Sequence, residues 1–101
     1  MLKLEYLPFR AMAETTRFLL AYGNISYRDE VVWGQTCASR RARRQYPFNK
    51  VPVLQVGTDI IAQSGSMARL AAKMAGCYPE DPVEAARSDF VFEFAQELCT
   101  I

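Results

Sequence analysis

Gln63 and Ser64 stand where an apolar strand pattern gives way to a helical one. The first N–H groups of a helix lack intrahelical acceptors, and the helix dipole adds partial positive charge at the same end. A Ser hydroxyl and a Gln amide beside those donors make the junction a place to hold an anion. Ser64 also reads as a plain N-cap, and the two roles are compatible. Arg40, Arg41, Arg43 and Arg44 form the one charge cluster. Its bland reading is a solvated helix face, and nucleic-acid contact is poorly backed because acidic residues elsewhere leave a net charge of only +1. Tyr6 closes an alternating stretch and, taken alone, reads as a strand tyrosine packed on a sheet. His is absent, which removes the commonest general base, the commonest metal ligand and any Ser–His or Cys–His pair. Cys37, Cys77 and Cys99 are odd in number and widely spaced, with no C-x-x-C. That argues against a disulfide framework, a zinc site or a dithiol motif, so no metal is expected.

The elements that must position these residues follow from periodicity. Leu2, Leu4 and Tyr6 alternate with Lys3 and Glu5, predicting a half-buried strand that ends at Pro8. A helix is expected from about Met12, with Phe18, Leu19 and Tyr22 on its apolar face and Gly23-Asn24 as its stop. Ser26 to Trp33 reads as a second strand, and Cys37 to Gln45 as a short helix or irregular turn ended by Tyr46-Pro47-Phe48-Asn49. Val51–Val56 and Asp59–Gln63 around Gly57-Thr58 predict a β-hairpin. Ser64 then opens a helix carrying Met67, Leu70, Ala71 and Met74, stopped at Gly76. After a linker over 78–82, Asp81 as N-cap and Pro82 as first residue begin a last helix, with Phe90, Phe94, Leu98 and Ile101 along one face.

The order β-α-β, basic segment, β-β-α predicts an α/β thioredoxin-like mixed sheet, since a β-α-β unit implies a right-handed parallel crossover and a hairpin adds antiparallel strands. The chain, 101 residues and half hydrophobic, suits one small domain over 1–77. Residues 83–101 are expected to be the first helix of an all-helical domain, one that looks interrupted. Met1 to Phe9 is short, and Glu5 within it and Arg10 just after it interrupt the apolar residues, unlike a secretion signal; no apolar run is long enough to cross a bilayer. A cytoplasmic setting is expected, with neither membrane nor nucleic acid as partner.

Three ordered segments carry a family likeness. Lys3-Leu4-Glu5-Tyr6-Leu7-Pro8-Phe9-Arg10-Ala11-Met12-Ala13-Glu14-Thr15-Thr16-Arg17, Pro47-Phe48-Asn49-Lys50-Val51-Pro52-Val53-Leu54, and Ile61-Ala62-Gln63-Ser64 followed by Ala68-Arg69-Leu70 together resemble the glutathione-binding domain of sigma-like, tyrosine-type cytosolic glutathione transferases. The resemblance implies a detoxifying transferase that binds glutathione as co-substrate and joins its sulfur to a small electrophile, or reduces a peroxide. Tyr6 is then the catalytic hydroxyl. Lowering a thiol pKa from about 8.5 by about two units needs roughly 2.7 kcal/mol. One hydrogen bond to a charged group supplies about 1.5–3 kcal/mol, and a helix N-terminus adds about 0.3–1 kcal/mol.

By the same resemblance Gln63 and Ser64 hold the γ-glutamyl carboxylate. Val51 pairs its backbone with the cysteinyl part across a cis Val51–Pro52 bond, Lys50 with Arg43 holds the glycyl carboxylate, and Glu97, beside Gln96, reaches across a homodimer to the γ-glutamyl amine. Arg10 joins the glutathione-binding set. The family's Gly and second Arg are replaced here by Ala11 and Met12, leaving Arg10 or Arg17 to compensate. Those replacements favour an alternative, a non-catalytic binding or dimerisation module of the same fold.

Overall fold

The computed structural model describes residues 2–7 and 13–99. Its elements are β1 (Leu2–Tyr6), α1 (Glu14–Tyr22), β2 (Tyr27–Val31), α2 (Gly34–Ala42), a 3-10 turn (Pro47–Asn49), β3 (Val53–Val56), β4 (Asp59–Ala62), α3 (Ser64–Met74) and α4 (Pro82–Cys99). The four strands form one sheet in the order β2-β1-β3-β4. β1 runs parallel to β2 and antiparallel to β3, and β3 pairs antiparallel with β4. This is the thioredoxin-like mixed sheet expected from the order of elements. Among the described residues no helix is long and apolar enough to cross a membrane.

Because strand side chains alternate, β1 serves two faces at once. Leu2, Leu4 and Tyr6 pack with Leu20 of α1, Leu54 of β3 and Met67 and Ala71 of α3 in the main core. Lys3 and Glu5 point to the other face, where Val32, Cys37, Tyr46 and Val53 form a smaller cluster under α2. α1 and α3 lie close enough that a Cβ placed on Gly23 would stand 2.7 Å from the Ala75 Cβ, so glycine is what lets the end of α1 meet the end of α3. The hairpin turns at Gly57, whose φ of 62° suits a residue without a Cβ. The Asp81 carboxylate accepts from the Glu84 N–H at 3.0 Å, the N-cap read from Asp81-Pro82.

Several expectations need correction. Phe18 and Tyr22 do not face the core: both are 68% exposed, and α1 buries Thr16 and Leu20 instead. Met74 is also largely exposed. α2 begins at Gly34, earlier than the Ala- and Arg-rich run suggests, and β2 is confined to Tyr27–Val31. On α4 the expected face is present, with Phe90, Phe94 and Leu98 in an exposed stripe, and Val83 and Val91 are exposed as well. Ile101 lies outside the described residues.

Candidate functional site

The mouth of the candidate site is the junction of β4 with α3. Gln63 occupies the N-cap position with φ 72° and ψ 125°, and no side chain caps the helix. Ser64, expected as the N-cap, is instead the first helical residue. The Met67 N–H, donating to the Gln63 carbonyl at 3.1 Å, makes the first intrahelical bond. The N–H groups of Ser64, Gly65 and Ser66 therefore have no acceptor within the helix, the arrangement that favours a bound anion. A left-handed φ on a non-glycine residue is uncommon and persists where the surroundings hold it.

Opposite this helix end runs the segment that joins the 3-10 turn to β3. It carries Lys50, exposed, and Val51, linked to the buried Pro52 by a cis peptide bond, as the family likeness implies. Pro47, Lys50, Val51, Pro52, Ala62, Gln63 and Ser64 line one cleft of about 180 Å³. Residues far apart in the chain thus meet in one concavity with a cation on one wall and a helix N-terminus on the other.

The other candidates stand elsewhere. Tyr6 lies at the end of β1, its carbonyl accepting from the Val32 N–H at 2.8 Å. It is only 7% exposed, packs in the main core and is not among the residues that line the cleft. Arg43 follows α2 and lines a separate depression with Gln35, Thr36, Ser39 and Arg40. Glu97 is on the exposed side of α4 and does not line the cleft. Arg10, like Ala11 and Met12, lies outside the described residues. Arg17 pairs with Asp29 of β2 at 3.1 Å and with Glu14 at 3.6 Å, so its described contacts tie α1 to the sheet edge.

One cluster escaped the sequence reading altogether. Arg40, expected on a solvated face, bridges Glu5 at 3.0 Å and Glu30 at 2.9 Å, while Lys3 reaches the same two carboxylates at 3.1 and 3.4 Å. The hydrogen bond from Arg40 holds the Glu30 carboxyl below its usual range, and the same bond, returned, raises Arg40. Tyr46 lies buried against them. Its hydroxyl is pushed up to about 12, first by burial and then by Glu5, with Arg40 pulling the other way. Glu5 reads as one of the polar residues of a half-buried strand, and the cation that buries it, Arg40, comes from α2.

Known proteins are similar to this chain in sequence and in fold. No family model matches the chain. Hematopoietic prostaglandin D synthase of Gallus gallus is 37% identical over 91 residues, 90% of this chain and 45% of the relative. Glutathione S-transferase S1 of Drosophila melanogaster is 36% identical over 90 residues, 89% of this chain and 35% of the relative. The chain is a homologue of the glutathione S-transferases. Among solved structures, a monomeric glutathione S-transferase of the hookworm Necator americanus superposes with a TM-score of 0.87 at 28% identity, over 95% of this chain and 46% of that one. This homologue of the transferases therefore spans less than half the length of the relatives it matches.

Proposed function

We propose that the chain forms the glutathione site of a glutathione transferase. The observation that carries this reading is the single cleft uniting Lys50, Val51 and Pro52 with Gln63 and Ser64. In it the γ-glutamyl carboxylate lies at the N-terminus of α3, where the Ser64 hydroxyl and the Gln63 amide add donors to the free N–H groups. The Val51 backbone pairs with the cysteinyl part as an added strand would. Lys50 faces the glycyl carboxylate; Arg43, lining a different depression, is dropped from this role. Tyr6 donates its hydroxyl to the sulfur and favours the thiolate without acting as a base. The thiol proton leaves to solvent, a sulfur lone pair forms the C–S bond, and the displaced group departs with its bonding electrons. A homodimer in the cytoplasm, with Glu97 of one copy turned to the site of the other and α4 opening an all-helical domain, completes the reading.

One observation favours a second reading, a binding or dimerisation module without catalysis. Tyr6 is buried among Leu4, Leu20 and Met67, as a purely structural strand tyrosine would be. Two variants separate the readings. Ser64→Ala should weaken glutathione binding in calorimetry by about 1–3 kcal/mol, the loss expected when a buried anion loses a donor. Tyr6→Phe should leave binding in place and raise the bound thiol pKa towards about 8.5, followed by thiolate absorbance against pH. Glutathione binding with no change of thiol pKa in Tyr6→Phe selects the module. Equal affinity in wild type and Ser64→Ala places the ligand elsewhere.

A further inference from the structure

One wall of the proposed cleft is a stretch of chain with little regular structure, running from the end of α2 to Pro52. Arg44, Phe48 and Asn49 take left-handed φ values of 56°, 55° and 57° there. L-residues adopt that conformation sparingly, and it lasts only where neighbouring structure over-determines it. The neighbouring structure at this wall is Tyr46. It is 5% exposed, packs with Val32, Cys37 and Val53, and accepts the Asn49 N–H on its carbonyl at 2.9 Å, which fixes the turn carrying Lys50.

The phenol of Tyr46 enters the charged cluster on the sheet. Glu5 Oε1 already accepts from Lys3 at 3.1 Å and from Arg40 at 3.0 Å. Glu5 Oε2 and the Tyr46 hydroxyl are each buried without a well-formed hydrogen bond, although the phenol lies close enough to Glu5 and Arg40 to be shifted by both. Buried polar groups are almost always paired. A hydroxyl donor and a carboxylate acceptor left over in the same cluster complete it when the hydroxyl donates to Oε2. Glu5 is also the register partner of Val53, the residue after Pro52, so the cluster sits directly behind the cleft wall. β1 then presents Tyr6 on one face and, one residue earlier, the anchor of that wall on the other.

We infer that Tyr46, held by Glu5 and Arg40, is a positioning residue that fixes Pro47–Pro52 so that Lys50 and Val51 face the N-terminus of α3. This rests on the glutathione reading for its ligand but not for its geometry. Tyr46→Phe keeps the ring and removes the donor. In the full chain it should raise the glutathione Kd roughly tenfold, the size of one charged hydrogen bond, with the bound thiol pKa unchanged. Amide exchange at Asn49 and Lys50 should accelerate by roughly tenfold while α1 and α3 keep their protection, the sign of a local opening. A lower melting temperature with unchanged Kd and no local acceleration makes the cluster only a staple for α2 and overturns the inference. A raised Kd without local acceleration overturns it too. Should wild type fail to bind glutathione, the ligand reading falls by itself and exchange alone decides: acceleration confined to Pro47–Pro52 upholds positioning, and uniform or absent acceleration refutes it. Glu5→Gln, which removes the charge at nearly constant volume, gives the same readouts if Tyr46→Phe does not fold.

Discussion

On one face of the sheet, Leu4, Leu20, Leu54 and Met67 are closed to solvent and hold α1 and α3 by apolar packing. On the other, α2 is held through Arg40 across Glu5 and Glu30, with Tyr46 and Cys37 filling only a small apolar patch. Apolar packing is indifferent to direction, salt and protons. Ion pairs are specific in geometry but respond to both, and their attraction is offset by the loss of hydration. The face that carries the irregular wall of the cleft is therefore the one whose strength depends on charge, and the face beneath the helix N-terminus is the one that does not.

The largest expected effect lies on the apolar face. Leu54→Ala should lower unfolding free energy by about 2–5 kcal/mol in denaturant titrations, as buried Leu truncations do. The second is Arg40→Ala. Because the Arg40 side chain is 26% exposed, its loss should fall below the range for fully buried pairs, at about 1–2 kcal/mol. That difference should shrink in 1 M salt, where the Debye length is about 3 Å, whereas the Leu54→Ala difference should not. An Arg40→Ala loss equal to that of Leu54→Ala and blind to salt would break the contrast between the faces.

The smallest effect is a pH signature of the charged face. Tyr46 is raised from its ordinary value of 10 to about 12 in the folded chain, so its contribution is complete below pH 10 and disappears as pH rises through about 12. Glu30 is lowered, so its contribution is complete above the ordinary carboxyl value and disappears as pH falls through the folded one. Unfolding free energy followed against pH should therefore decline at both extremes. Tyr46→Phe should flatten the alkaline limb, and Leu54→Ala should shift the whole curve without changing its shape.

What the sequence made legible was what neighbours in the chain decide. The alternation over Leu2–Tyr6, the two-residue turn at Gly57-Thr58 and the Asp81-Pro82 start of α4 are local signals, and the structure has each of them. The junction at Gln63-Ser64 was likewise readable, although the cap itself fell on Gln63. Where long-range packing decides, the residues misled. Phe18 and Tyr22 are the bulkiest apolar side chains of α1, yet the residues buried there are small and medium ones, Thr16 and Leu20, with Ala13 just before the helix. Arg40 looked like one of several solvated arginines, since nothing near it in the chain announces Glu5 and Glu30. Arg43 is exposed and lies away from the cleft.

α4 meets α3 where the Phe92 ring lies over Gly65 and where the Arg69 guanidinium reaches across. Arg69 takes Asp89 at 3.2 Å and Glu93 at 3.4 Å, and the Tyr78 hydroxyl donates to the same Asp89 at 3.0 Å. Asp89 and Glu93 stand four residues apart and so share one helix face, and both reach Arg69 only when α4 is turned to a single azimuth. A slip of one residue would swing both away by about 100°. The latch thus works as an index mark, setting the rotational phase of α4 and, with it, the direction in which Phe90, Phe94 and Leu98 look.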